Sequence, residues 1–512
     1  MLSDIQSSIL CATLLSIPIL YKFFSPFLIS RSKLPLPPGP PRLPIVGNLF
    51  NAPLKLPWET YAKWSKEYNS DIIYLNLLGT SVIVLSSLNA TETLLQKRTF
   101  SDRLSSVMIS ELMGWDFNFA LMRYGEEWQI HRRLFSGAFS IQESQKYHAQ
   151  EVEGAHTLLR RLLDSPDEYM EHFRRMAGEF IMSVAYGIDA CSSAEYVALA
   201  QRALQSFSTA SLPGKYLVNR FPILKHVPRW VPGARFKREA EEGRKLARGM
   251  YALPFAETRR QMASGAAPPS FTANALSALE NSDTNLYYEE RHVKATAATM
   301  FIGGSDTSVS SLGTFVLAML ANPEAQRKAQ LEIDSVTGGK YLPGFADKDG
   351  LPYVEALLQE VLRWQNVAPF ALPRFLVEEA EYRGYRLPAG SLILPNTWAI
   401  LHDETTYPDP LTFKPERFLS GGKLNPTVKL PEAAFGFGRR LCPGRHAATS
   451  ALWIAVVSVL ATCEIRKAVD EQGNVIEPSY EYVSGMISSP LPFKCSILPR
   501  SPEKEALIRA TV

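Results

Sequence analysis

Between Ile5 and Tyr21 the chain carries no charge and is mostly apolar; Lys22 interrupts, the apolar run resumes from Phe23 to Ser30, and Arg31 and Lys33 follow. A run of this kind with its cations on the far side predicts a single membrane anchor over residues 1–30, its C-terminal side in the cytosol. A secretory signal would begin basic and end on small residues, whereas Asp4 stands before this run. Pro18 and Pro26 weaken the helix, so a tilted or monotopic anchor is open as well. Ile72–Leu78 and Ser81–Ser86 are short β-rich runs around Gly79-Thr80, which predicts a hairpin. Beyond Ala90 the pattern turns mostly helical, with an irregular apolar stretch over 104–120 (Met108, Met113, Trp115, Phe117, Phe119) and a helix from Gly125 to Phe135.

From about Glu289 to Leu320 there is no proline, and the apolar spacing predicts one helix of roughly 30 residues, about 45 Å long. Leu351–Trp364 and His446–Cys463 read as further helices, and Pro369–Arg374 and Tyr382–Pro395 as short strands. Val483–Ser489 is a turn-like apolar stretch. Two segments are punctuated by proline. Pro35-Leu-Pro-Pro-Gly-Pro-Pro41 cannot continue a helix and predicts a stiff extended hinge over 31–44; its place between anchor and domain argues against a ligand for a proline-binding module. Leu212–Ala234 is apolar with Trp230 and several basic residues, which suits a membrane interface and an ordinary loop laid on the core equally. Ser264–Ser270 is a plain linker.

Composition narrows this. The 512 residues are 46% hydrophobic and 21% charged, globular values that permit a large core, and length alone suggests about three domains. A net charge of +3 gives no argument for nucleic-acid binding. The cysteines (11, 191, 442, 463, 495) are scattered and odd in number; no spacing suggests a disulfide framework or a zinc site, which fits a reducing compartment for the bulk of the chain.

The candidate chemistry sits in Phe435-Gly-Phe-Gly-Arg-Arg-Leu-Cys-Pro-Gly444. One cysteine, Cys442, stands among glycines and arginines just before a long apolar helix. Gly436, Gly438 and Gly444 let backbone approach a flat ligand, while Arg440 and the helix N-terminus favour the thiolate. For a lone cysteine a structural role in a turn is the commoner outcome. Elsewhere, Gly303-Gly-Ser-Asp-Thr-Ser308 interrupts the longest helix with two glycines, each costing about 1 kcal/mol against alanine, followed by an acid and an alcohol. Trp128 and Arg132, four apart, share a helical face. Glu360 and Arg363 are three apart on another helix, and Arg417 follows in Phe413-Lys-Pro-Glu-Arg-Phe418.

Together, Phe435, Gly438, Arg440, Cys442 and Gly444 resemble the haem-binding loop of the cytochrome P-450 family, and the other motifs occur in that family's order. The resemblance covers essentially the whole chain after residue 35. It implies a mainly α fold with a small β-rich part, preceded by the anchor, with one catalytic domain over 45–512. It implies haem b as cofactor, with Cys442 as the iron's thiolate ligand and with Trp128, Arg132, Arg374 and Arg440 at the haem propionates. Asp306 would supply protons beside Thr307, and Glu360, Arg363 and Arg417 would form a structural network.

The implied activity is a monooxygenase placing one oxygen atom from O2 into a lipophilic small molecule. The segments 104–120, 203–215, Phe301, 366–372 and 483–488 would line its pocket. NADPH would act through a separate reductase, docked near His131, Arg133, Arg439 and Arg445, at the endoplasmic reticulum membrane. The overall look is similar to fungal members of secondary metabolism, with a terpenoid favoured over a polyketide or an indole. A haem-thiolate isomerase or dehydratase, which would not need Asp306 and Thr307, and a non-enzymatic haem-binding membrane protein are the alternatives.

Overall fold

The computed structural model describes residues 34–212, 214–281 and 287–511, which form two compact units. The predicted anchor lies outside the described residues. The first unit, up to Ser101 and again from Pro373 to Asn396, holds α1 (Pro57–Glu67) and α2 (Leu88–Leu95) with the β-rich part. Its strands are β1 (Ile72–Leu77), β2 (Thr80–Leu85), β3 (Arg374–Phe375), β4 (Ala380–Tyr382), β5 (Tyr385–Leu387) and β6 (Leu392–Pro395). The hairpin forms in the predicted place, Ile72 opposite Leu85 and Leu77 opposite Thr80. Its two-residue turn has both Leu78 (φ 50°) and Gly79 (φ 81°) left-handed, the turn whose twist matches the strands. The sheet runs β1-β2-β6-β3, with β6 parallel to β2.

The proline-rich stretch is laid against β1. Pro38 O accepts from Tyr74 N–H at 2.9 Å, and a Cβ on Gly39 would stand 2.2 Å from Tyr74 O, so no larger residue fits there. Fully buried Asn48 donates to Pro40 O and Pro41 O and accepts from Asn76 N–H. The strand expected over Pro369–Arg374 is only Arg374–Phe375: Ala371 turns left-handed (φ 47°) between two prolines, and neither proline has a ladder donor.

The second unit is the helical one. Its helices are α3 (Glu126–Ala138), α4 (Ile141–Gln145), α5 (His148–Asp164), α6 (Tyr169–Tyr186), α7 (Ala190–Ala210) and α8 (Arg235–Ala263). They continue as α9 (Phe271–Glu280), α10 (Glu290–Ala321), α11 (Pro323–Thr337), α12 (Pro352–Trp364), α13 (Thr397–Leu401), α14 (Arg445–Thr462) and α15 (Pro502–Arg509). Helix α14 is as long and apolar as a membrane span, but it is mostly buried and serves as a core helix. The stretch expected to be irregular contains one π-helical turn, Val107–Leu112, begun by Ser106 accepting from Ile109 N–H.

Helix α10 organises this unit. It begins where Glu289 and His292 cap each other across the first turn and ends at Asn322-Pro323, where proline cannot continue it. Its first half, Val293–Phe301, packs into one apolar core with α3, α7 and α8. Its second half, Val309–Leu320, packs into another with α5, α12 and α14. The Gly303–Ser308 motif falls in the interval between the two cores.

Candidate functional site

Cys442 closes its loop with its own backbone. Its N–H donates to Phe435 O at 2.9 Å, across two left-handed glycines, Gly436 (φ 85°) and Gly438 (φ 53°). Cys442 is half-buried. Burial pushes the thiol up; the Gly444 N–H and the Arg132 and Arg445 guanidiniums pull it down and do not fully offset burial. The cations acting on Cys442 are therefore Arg132 and Arg445. Arg440, expected to act on it, turns away: its guanidinium lies 4.4 Å from the Trp128 ring centroid and donates to Phe119 O and Met122 O. Arg132 donates to Leu441 O at 2.5 Å, so the Trp128 indole takes its cation from the cysteine loop and not from its own helix.

These arginines are half-buried. Burial holds Arg132 below the usual guanidinium range and brings Arg440 down to about 10, although Asp102 supports its charge. Sequence reasoning missed Asp102 and Arg103. Both are buried; Asp102 Oδ1 accepts from Arg103 N–H and Tyr124 N–H at 2.9 Å each. Arg103 donates to Ala120 O and Leu372 O. The available signal was an acid–base dipeptide opening an apolar stretch, where a solvated pair has no reason to be. Arg374 lies in the first unit, buried in β3 opposite Ile393.

On α10, Gly303 is exposed within a buried helix, and nothing lies within 4 Å of where its Cβ would stand. Thr307 Oγ1 donates to Gly303 O at 2.7 Å, one turn back, and the helix stays regular without the bulge that such a bond can open. Asp306 is raised by burial, opposed by Arg174 of α6. Phe301, expected to line a pocket, is wholly packed in the core; Ile302 and Gly303 keep the accessible surface. His131 drops out of the expected docking set. It is buried, its Nδ1 lies 2.9 Å from Thr296 Oγ1, and burial pushes it down to about 4, so it is neutral. Arg133 and Arg439 are exposed, over Tyr287 and Tyr124; Arg445 is half-buried and donates to Cys442 O.

A half-buried thiol in a glycine-turned loop, a helix face thinned by glycine, and half-buried guanidiniums beside that loop fit a planar iron macrocycle with acidic edges. The profile of the cytochrome P-450 family matches residues 37–495. The chain belongs to the cytochrome P-450 family. A cytochrome P-450 monooxygenase of the fungus Postia placenta is 44% identical over 485 residues, 94% of this chain and 93% of that one. Tryptamine 4-monooxygenase of Psilocybe cyanescens is 39% identical over 482 residues, 93% of this chain and 94% of that one. A third relative, a cytochrome P-450 monooxygenase of Rhodocybe pseudopiperita, is 43% identical over 487 residues, 94% of this chain and 92% of that one. The protein is thus an oxidoreductase, a cytochrome P-450 monooxygenase of the haem-thiolate kind, similar to fungal members of the family.

Glu360 shows how the family's scaffold is fixed. Its carboxylate accepts from Arg363 Nε at 2.7 Å and Nη2 at 2.8 Å, and from Arg417 Nε at 3.0 Å. Glu360 and Arg363 have no accessible surface.

Proposed function

We propose that this cytochrome P-450 is a membrane-anchored monooxygenase of secondary metabolism that hydroxylates a neutral lipophilic small molecule, a terpenoid before a polyketide or an indole. The observation that carries the reading is the Cys442 loop, closed by Cys442 N–H on Phe435 O, with Arg132 donating to Leu441 O and Arg445 to Cys442 O. Bound haem supplies activation of dioxygen, with NADPH electrons delivered by a separate reductase. Cys442 holds the iron. Arg132, Arg440 stacked on Trp128, and the newly found Arg103 would neutralise the propionates through charge-assisted hydrogen bonds. Asp306 holds and passes protons. Thr307 turns its hydroxyl hydrogen back to Gly303, which leaves its oxygen an acceptor for a water beside Asp306.

A neutral substrate is favoured by where the acids point. Glu111 and Asp116 are the acids of the candidate lining segments, and each is paired outward, with Lys225 at 2.7 Å and Arg248 at 2.6 Å. An amine would need a carboxylate that these segments have committed elsewhere. The membrane reading rests on residues 1–30 and on the loop between α7 and α8, where Trp230 is 81%, Ile223 73% and Leu217 66% exposed.

The test is the carbon-monoxide difference spectrum of the reduced protein in membranes, beside Cys442→Ser. A Soret band near 450 nm, present in the parent and lost in the variant, is expected from thiolate ligation. A band that survives the serine would remove Cys442 from the iron and end the reading.

A further inference from the structure

Helix α10 carries a run of hydroxyls, and they are not spent alike. Ser305, Thr307 and Ser311 return theirs to the carbonyl four residues back, the ordinary use of an alcohol inside a helix. Ser310 departs from this: it is buried, and its Oγ donates off the helix to Ser488 O at 2.6 Å. One turn further on, Thr314 Oγ1 lies 3.2 Å from the hydroxyl of Tyr482, and both residues are buried. At about 100° per residue, Gly303, Thr307, Ser310 and Thr314 form one stripe about 60° wide, with Ser310 about 4.5 Å along the axis from Thr307. The two bonds therefore fasten the chain around Tyr482 and Ser488 to the stripe that carries the bare Gly303 and Thr307.

The fastened chain is a turn. Tyr482 and Pro490 pair antiparallel, and Val483 N–H donates to Ser489 O at 2.9 Å. Its apex, Gly485–Ile487, is half-buried and tight, since a Cβ on Gly485 would stand 3.1 Å from Ile487 O. Gly313, between the two fastening residues, keeps the approach close: a Cβ there would meet Pro490 Cγ at 3.5 Å. Ser488 is the knot. Its O accepts from Ser310, and its N–H donates to Val367 O at 2.8 Å, in the segment that follows α12. One buried residue thus ties together α10 and the two segments 366–372 and 483–488. Removing the Ser310 donor strips a buried carbonyl of this partner, a cost that the turn relieves by moving off the helix.

We infer that Ser310, supported by the Thr314–Tyr482 pair, is a positioning residue that sets how far the 483–488 turn reaches toward the space beside Thr307. It thereby selects lipophilic molecules by length, acting only through Ser488. The inference rests on the reading that haem and substrate meet beside Gly303 and Thr307.

The experiment compares the parent holoenzyme with Ser310→Ala, Tyr482→Phe and Ser311→Ala. Two azoles whose nitrogen ligates haem iron, 4-phenylimidazole and the longer 4-(biphenyl-4-yl)imidazole, are titrated by difference spectrum. Amide hydrogen exchange across 482–490 is read by mass spectrometry on the same proteins. Ser310→Ala should leave phenylimidazole binding within about twofold of the parent, tighten the biphenyl azole about fivefold, and speed exchange of the turn about tenfold. Tyr482→Phe should move both readouts in the same direction by less, and it serves if the alanine variant fails to load haem. Ser311→Ala, which loses a hydroxyl spent within its own helix, should keep the parent's ratio of affinities. An unchanged ratio in Ser310→Ala, or in Tyr482→Phe where that variant serves, would make the contact structural only and overturn the inference, whether or not exchange is faster. A ratio that moves as far in Ser311→Ala would overturn it as well. Loss of the 450 nm band in the parent protein would instead strike the reading beneath it.

Discussion

Two groups of arginines in the helical unit are built on opposite principles. Arg363 and Arg417 converge on one carboxylate, Glu360, and all three are desolvated together. Arg132 and Arg440 reach backbone carbonyls of Leu441, Phe119 and Met122, and burial weakens their hold on the proton. A carbonyl dipole compensates a buried cation far less than a carboxylate does. The first group is complete within the chain. The second is spread over backbone carbonyls and, at Arg440, the charge of Asp102.

Breaking each group should therefore give different losses. Glu360→Ala leaves two buried guanidiniums facing each other, a change of the class that costs about 3–5 kcal/mol. The expected outcome is protein that neither resists mild proteolysis nor shows the 450 nm band. Arg440→Ala removes a half-buried charge whose desolvation opposes it, so the thermal midpoint of the haem-free protein should hold or rise. Haem affinity should fall roughly 10- to 100-fold, the worth of one charge-assisted bond of about 1.5–3 kcal/mol. Equal loss of apoprotein stability in both variants, read by thermal melts with and without haem, would erase the distinction between the two groups.

Glu151 of α5 is the converse case, a buried acid supported by a hydroxyl and only distantly by a cation. Its Oε1 accepts from Ser450 of α14 at 2.7 Å, and burial raises the carboxyl to about 8 against weaker opposition from Ser450 and Lys348. The unfolded chain releases this proton near the ordinary value of 4.5. Folding stability should fall as pH rises from about 4.5 to 8 and be level above that, the loss being on the order of a few kcal/mol. Denaturant melts of Glu151→Gln should lack that slope. A parent protein as stable at pH 8 as at pH 5 would show the acid to be better compensated than its geometry indicates.

Much of this fold was legible in the residues. Helix α10 appeared within a residue of its observed ends, because a proline-free apolar stretch between a capping glutamate and Asn322-Pro323 leaves little choice. The hairpin was equally plain from Gly79. The π-turn at 107–112 and the shortness of β3 were not, since both turn on local backbone angles that apolar spacing does not encode. In the site, spacing marked which residues gather near Cys442 but not which way a long side chain turns; Arg440 and Arg132 exchanged their expected partners. Arg103 was hidden because an arginine is assumed solvated until its burial is seen. His131 shows the same gap from the other side: a histidine beside two arginines reads as surface charge, and only burial against Phe119 and Thr296 makes it neutral.

That correction sharpens the smallest predicted effect. With His131 neutral and Arg445 tied to Cys442 O, the mobile charge left for an acidic partner is on Arg133 and Arg439, each exposed and resting on a tyrosine ring at 5.1 and 6.0 Å. Exposed charges act chiefly on encounter, are screened over about 8 Å at physiological salt, and contribute little to the fold. Arg133→Glu with Arg439→Glu should slow reductase-driven reduction several-fold at low ionic strength, and the deficit should shrink as salt is added. His131→Gln should leave that salt dependence alone. Stopped-flow reduction under carbon monoxide at several ionic strengths measures all three proteins. If the double charge reversal reduces as fast as the parent at low salt, the partner docks elsewhere, and the cations of this face serve only the haem pocket behind them.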